Sequence, residues 1–367
     1  MSLSKLKEEV IELLKELIAI QSFSKEEDKT ARLIHQFLSA HQVETNQDLN
    51  NVWGRNLYFD SEKPTIILNS HHDTVRPNSQ WKRDPFNATI ENDILYGLGS
   101  NDAGGALVSL LATFLHYYPQ PDLDYNLIYA ATAEEEISGS NGLEHLLPSL
   151  GKLDLGIVGE PTCMDMAVAE KGLVVLDCLV RGKAGHAARS TGTNAITQAL
   201  KDLEWFDTYE FKLQSKYLGP VKMTITVINA GSQHNVIPEI CEFTVDLRTT
   251  DQYSNQEVVD LIRHHVSCEI TPRSLRLSPS GIPEDHQVVV AGEKTGCMLF
   301  GSPTSSDQTL MKFPSVKIGP GMSERSHTAD EYIKLDEIRL GIDRYIKILD
   351  QLLTPKTTIY ETVAKRL

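Results

Sequence analysis

The chain has 367 residues, long enough for two domains and a large buried core. With 35 Lys and Arg against 50 Asp and Glu, its formal net charge is −15, and no basic block or aromatic-basic stripe argues for nucleic acid as a partner. Hydrophobic residues at 41% and charged ones at 23% exclude wholesale disorder, while five scattered cysteines without a C-x-x-C pair exclude a disulfide framework and a thiolate zinc knuckle.

The first stretch, "MSLSKLKEEVIELLKELIAI", spaces Leu6, Val10, Leu13, Leu14, Leu17 and Ile18 as one apolar face among charges, which predicts an amphipathic helix and not a signal peptide. The scattered cysteines fit a reducing cytoplasm, and no apolar run approaches a membrane span, so no membrane partner is expected. Short apolar runs at 65–70 ("TIILNS"), 126–132 ("NLIYAAT") and 155–159 ("LGIVG") predict buried strands, and they alternate with helical patterns at 104–118 and 142–147. From about residue 173 the texture changes to longer alternating strands, "VVLDCLVRG", "VKMTITVINAG" and "ICEFTVDLRTT", separated by the helices "TNAITQALKDLEWF" and "NQEVVDLIRHHV". Strand, helix, strands, helix, strand is the signature of a ferredoxin-like α+β sandwich. After "SPSGIPED" the pattern predicts a helix over 286–300, a short strand at "SVKIGPG" and a last amphipathic helix from about Lys334. The expected architecture is therefore α/β. A discontinuous catalytic domain, 1–172 with 281–367, accepts an inserted α+β domain at 173–280.

Acids and imidazoles collect where the predicted strands end. "TIILNSHHDTV" runs into His71, His72 and Asp73, "NLIYAATAEEE" into Glu134, Glu135 and Glu136, and "LGIVGEPT" into Glu160. Asp102 stands at the entrance of an apolar helix in "GLGSNDAGGALVSLL", and His327 follows a short strand in "SHTADEY". Taken singly, Asp102 reads as a helix cap, Glu160 before Pro161 as a turn residue, and the three glutamates as a solvated loop. Taken together they form an imidazole and carboxylate set on the edge where open α/β sheets bind ligands, suited to zinc or a similar divalent ion.

In their order along the chain, "SHHDTV", "GLGSNDAGGALVSLL", "TAEEE", "VGEPT" and "SHTADEY" resemble the co-catalytic dinuclear zinc aminoacylase and carboxypeptidase family that includes acetylornithine deacetylase and succinyl-diaminopimelate desuccinylase. "VRGKAGHAARSTGTNAI" and "NAGSQHNVIPEICEFTVDLR" are similar to that family's dimerisation and lid domain. The resemblance implies a zinc-peptidase-like fold and a homodimer formed through 173–280. It also implies two divalent ions, zinc first with cobalt or manganese as alternatives. His71, Asp102 and Glu160 would hold one ion, and Asp102, Glu136 and His327 the other. Asp73 would orient His71, and Glu135 would be the general base. A register shifted by one residue would instead make Glu134 the base and Glu135 the ligand. His186 would serve the oxyanion across the dimer, and Asn235, Arg248 and Ser305 would contact substrate. His72 has no matching role. The sequence departs from the family at "SHHDTV", at "GLGSNDAGG" without the arginine common there, and at "GHAARS" without the usual Ser and Pro.

The expected activity is hydrolysis of the amide bond of an N-acyl amino acid, an acetylornithine deacetylase of arginine biosynthesis or an enzyme acting on the acetylcitrulline or succinylornithine analogue. A succinyl-diaminopimelate desuccinylase and a di- or tripeptidase are the rivals in the same class. A catalytically silent binding protein is the rival from another.

Overall fold

The computed structural model describes residues 2–189 and 191–353. The chain divides into two compact units: Met1–Val168, Ile282–Phe300 and Ser306–Leu367 form the first, and Ala169–Gly281 with Gly301–Ser305 the second. Helix α1 (Leu3–Ile18) and helix α2 (Asp28–Ala40) open the chain, followed by strands β1 (Thr45–Asp48), β2 (Asn51–Arg55) and β3 (Thr65–His71). Then come α3 (Gly105–Tyr117), β4 (Asn126–Thr132), α4 (Leu143–Leu150), β5 (Leu155–Val158) and β6 (Met166–Glu170). The second unit contains β7 (Gly172–Arg181), α5 (Ala195–Thr208), β8 (Lys222–Ala230), β9 (Ile240–Thr249), α6 (Asn255–His265) and β10 (Glu269–Pro272). The chain ends with α7 (Gln287–Lys294), β11 (Ser315–Lys317) and α8 (Leu335–Leu353).

In the first unit the sheet order is β1-β2-β4-β3-β5-β11-β6. Strands β4, β3, β5 and β11 run parallel, with His71 beside Thr132, Asn69 beside Val158, and Lys317 also beside Val158. Every residue of β3, β4 and β5 is buried, which is why they read as unbroken apolar runs and not as alternating ones. Helix α3 is apolar all round and almost wholly buried, packed against β3, β4, α1 and α8. Its N-terminus sits close to the preceding turn: a Cβ at Gly104 would lie 2.4 Å from the Gly99 carbonyl oxygen, so only glycine fits there. This contact fixes the loop that carries Asp102.

The second unit is a βαββαβ sandwich with antiparallel sheet order β8-β9-β7-β10, the ferredoxin-like arrangement. The inward residues of β7 and β9, Val174, Leu176, Cys178, Phe243, Val245 and Leu247, form its core with Ala199 and Phe206 of α5 and Val258, Val259 and Ile262 of α6. Strand β8 lies at one edge of this sheet.

Most predicted elements fall within a few residues of the observed ones. The helix predicted over 286–300 is shorter: α7 stops at Lys294, Gly296 takes φ +89° and Leu299–Ser302 is a strand. Of the apolar "CMLF" there, Leu299 and Phe300 belong to a strand and not to a helix face. Among the described residues no helix is long and apolar enough to cross a membrane.

Candidate metal centre

Parallel pairing brings the carboxyl ends of β3, β4 and β5 to one edge. His71 is the last residue of β3, Glu135 and Glu136 follow β4, and Glu160 follows β5. Asp102 comes from the turn before α3, where the Asp102–Ala103 peptide is cis, and His327 from the loop after β11. All six side chains meet.

Asp102 stands at the middle of this group. Its Oδ1 is 3.3 Å from His71 Nε2 and its Oδ2 is 3.6 Å from His327 Nε2, one carboxylate oxygen toward each imidazole. Glu160 Oε1 lies 3.7 Å and Glu135 Oε2 3.9 Å from His71 Nε2, while Glu136 Oε2 lies 2.9 Å from His327 Nε2. His71 is buried, and its Nδ1 faces the Asp73 carbonyl oxygen at 3.0 Å. That contact places a proton on Nδ1; burial opposes a second proton, but Asp102, Asp73, Glu135 and Glu160 raise the imidazole's proton affinity well above its ordinary value, so Nε2 holds a proton unless a cation takes its place. Nε2 makes no hydrogen bond in this structure. A buried imidazole nitrogen facing anionic oxygens is repulsive unless a proton or a cation lies between them, so the donor set fits a divalent metal. Ligand atoms of His71, Asp102 and Glu136 lie within 4.8 Å of one another, as do those of His71, Glu135 and Glu160.

The three neighbouring glutamates have separate surroundings. Glu134 takes a left-handed backbone (φ 56°, ψ 20°) that turns its carboxylate away from the cluster, where Oε1 accepts from the Asn141 side-chain amide at 2.9 Å. The Asp73 carboxylate accepts from the backbone N–H groups of Glu135 (3.0 Å) and Glu136 (3.2 Å) and from the Ser24 hydroxyl (2.7 Å). One aspartate thus holds the turn that aims both glutamates and also lies beside His71 Nδ1 at 3.4 Å.

Two buried acids were not singled out from the sequence. Glu331 accepts from the backbone N–H groups of Gly99 (2.9 Å), Asn101 (2.8 Å) and Asp102 (2.9 Å), so it fixes the loop that presents Asp102. The only sequence signal for it is its place inside "SHTADEY". Asp307 accepts from the Thr132 hydroxyl at 2.7 Å, and burial pushes its carboxyl up to about 6. His72 is buried between Thr30 and the Asn50 carbonyl, 2.9 Å from each, and burial lowers its pKa to about 4. It is a neutral structural imidazole.

The remaining sequence candidates lie in the second unit. A short ladder pairs His186 with Val236, and the Ala187 N–H donates to the Asn235 carbonyl at 3.0 Å, so His186 and Asn235 are neighbours. His186 Nδ1 accepts from the Ala188 N–H at 3.1 Å, which leaves its exposed Nε2 as the proton-bearing donor. Arg248 is already engaged, holding Asp246 through Nε (2.8 Å) and Nη2 (3.1 Å). The Ser305 hydroxyl donates to the Lys171 carbonyl at 3.1 Å.

Crowding of acids shifts the cluster's proton affinities. Burial, with the charges of Asp102 and Glu136, pushes Glu160 up to about 8 against the opposing pull of His71 and Lys317. Burial raises Glu135 well above the carboxylate range, opposed by His71 and reinforced by Glu160 and Asp307. The Glu136 contact raises His327 to about 9.

Residues 67–351 match the model of peptidase family M20/M25/M40. The chain is 25% identical to succinyl-diaminopimelate desuccinylase 2 of Ruegeria sp. over 378 residues, covering 92% of this chain and 94% of that one. It is 28% identical to acetylornithine deacetylase of Proteus mirabilis over 293 residues, covering 74% and 75%. In fold it is similar to the Bacillus subtilis YXEP protein, a dinuclear metal-binding peptidase, with TM-score 0.71, 15% identity and coverage of 94% and 98%.

Metal uptake is expected to release protons at neutral pH, because Glu160 at about 8 and His327 at about 9 carry protons that a cation must displace. Calorimetric zinc titration of the metal-free protein in buffers of different ionisation enthalpy should show net release of about one proton or more per chain, with apparent affinity rising from about pH 6 to 8. Affinity independent of pH would contradict this.

Proposed function

Because the chain belongs to peptidase family M20/M25/M40, we propose that this metal-dependent amidohydrolase removes the acyl group from an N-acyl amino acid, a diamino acid in the preferred case. The observation that carries the reading is the Asp102 carboxylate, with one oxygen toward His71 and the other toward His327, inside a ring of three further carboxylates. In this reading His71, Asp102 and Glu160 hold one divalent ion, and Asp102, Glu136 and His327 hold the other. Zinc is preferred by the imidazole and carboxylate set, with cobalt or manganese as alternatives. Bound ions would supply a water of lowered pKa and polarise the scissile carbonyl.

Glu135 is the proposed general base. It belongs to the turn held by Asp73, its carboxylate faces the cluster, and its raised proton affinity suits a group that takes a proton from water and returns it to the departing amine nitrogen. The engagement of Glu134 by Asn141 supports this register over the shifted one. His186, with its outward Nε2–H, is the proposed oxyanion donor, and Asn235, Arg248 and Ser305 are the proposed substrate contacts. Arg248 would share its guanidinium between Asp246 and a substrate carboxylate.

The two relatives reported above are named for ornithine and diaminopimelate, both diamino acids, which supports a diamino leaving group. Acetylornithine, in arginine biosynthesis, is the preferred substrate, with acetylcitrulline and succinylornithine as analogues. Succinyl-diaminopimelate is the second reading, favoured by the longer match of the desuccinylase. A homodimer through residues 173–280 is proposed from the edge strand β8, which exposes Val227 and Ile228, and from Ile196 and Leu200 exposed on α5 packed against it. The five cysteines are all free, which supports a reducing cytoplasm.

Two outcomes are expected. Glu135→Gln should lower kcat by about 10²- to 10⁴-fold while metal analysis still finds two ions per chain, and unchanged turnover would remove Glu135 as the base. Leu200→Glu should yield monomers by sedimentation and lose activity in step with His186→Ala. An active monomer would overturn the dimer-dependent site. A panel of acetyl- and succinyl-ornithine, acetylcitrulline, succinyl-diaminopimelate and plain dipeptides assigns the substrate; preferential cleavage of the dipeptides would overturn the diamino acid reading.

A further inference from the structure

Four consecutive backbone N–H groups at the "AEEE" turn each donate to a side-chain oxygen. Ala133 donates to Asn51 (3.0 Å), Glu134 to Glu27 (3.2 Å), and Glu135 and Glu136 to Asp73. Asp73 was expected near the site, but Glu27 was not. It stands at the N-terminal cap position of α2, where an acid ordinarily bonds the first turn of its own helix, yet its side chain makes no capping bond. The carboxylate is fully buried and turns the other way. Its Oε1 accepts from the Lys25 N–H (2.6 Å) and the Glu134 N–H, and its Oε2 from the Asn50 side-chain amide (2.8 Å).

The residue it receives is the pivot of the turn. Glu134 has positive φ, a conformation that non-glycine residues keep only where surrounding contacts determine it. Relaxing Glu134 toward ordinary φ would rotate the chain just before Glu135 and Glu136 and re-aim both carboxylates. We infer that Glu27 is a positioning residue, whose carboxylate locks the backbone of Glu134 and thereby sets the directions of Glu135 and Glu136. The inference rests on the functional reading above, in which those two glutamates serve as base and ligand. Methionine at this position would keep the length of the side chain but remove both oxygens, leaving the N–H groups of Lys25 and Glu134 unmatched in a buried place, whereas glutamine would keep one oxygen for both of them.

The test compares Glu27→Met with Glu27→Gln and with Ile34→Ala, the last a buried substitution on α2 that loosens the same helix without touching the turn. Glu27→Met should lower kcat by about 10- to 100-fold with KM little changed, and should weaken zinc affinity measured by titration by a similar factor, while Glu27→Gln should restore most of both. Ile34→Ala should lower the melting temperature while leaving kcat and zinc affinity at wild-type values. If Glu27→Met fails to fold, Asn50→Ala, which frees only Oε2, should show a smaller loss in both parameters. A folded Glu27→Met with wild-type kcat and zinc affinity, or an Asn50→Ala with neither loss, would overturn the inference. Absence of amide hydrolysis by the wild type on every substrate would instead defeat the functional reading, and the zinc titrations would still judge Glu27.

Discussion

An imidazole nitrogen buried among anionic oxygens is the constraint on which the rest of this structure depends. His71 Nε2 faces Asp102, Glu160 and Glu135 within 3.9 Å and makes no hydrogen bond. In a protein interior such a grouping is costly in isolation, and its cost is met by cations or by protons. The raised proton affinities of His71, Glu160 and Glu135 are the second of these responses in metal-free form. Divalent ions are the first, and they explain why acids from three separate segments and imidazoles from two converge on one place.

Holding the acids together falls to further acids that grip the backbone and not the ligands' side chains. Asp73 takes the N–H groups of Glu135 and Glu136, and Glu331 takes those of Gly99, Asn101 and Asp102. Each loop is thereby fixed at the amides next to its functional side chain. The loops are anchored below by strands buried on both faces and by the apolar helix α3, so the ligand-bearing ends have little freedom to spread. This preorganisation matters for hydrolysis, because a base and an oxyanion donor act only over short distances.

What the sequence conveyed follows from the physics of each signal. The strands of the first unit were legible because buried parallel strands are continuous apolar runs, and His71, Glu160 and the glutamates were legible as acids and imidazoles placed directly after them. The βαββαβ order of the second unit was legible from its alternating strands and intervening helices. The hairpin of β1 and β2 gave no such signal, since β1 reads "TNQD" and is largely exposed. The distinct fate of Glu134 depends on one positive φ, which no neighbouring glycine announces. Glu331 and Glu27 act on amides more than 100 residues away, and a contact of that kind leaves no local pattern. The helix expected to reach residue 300 was misread because apolar residues after Gly296 continue the composition while the backbone changes course.

The central claim is that Asp102 lies between two cations. Diffraction data collected above and below the absorption edge of the loaded metal test it most directly. The account predicts two anomalous peaks per chain, one between His71 and Glu160 and the other between His327 and Glu136, with one oxygen of Asp102 directed to each. A single peak, or two peaks that Asp102 does not join, would contradict it.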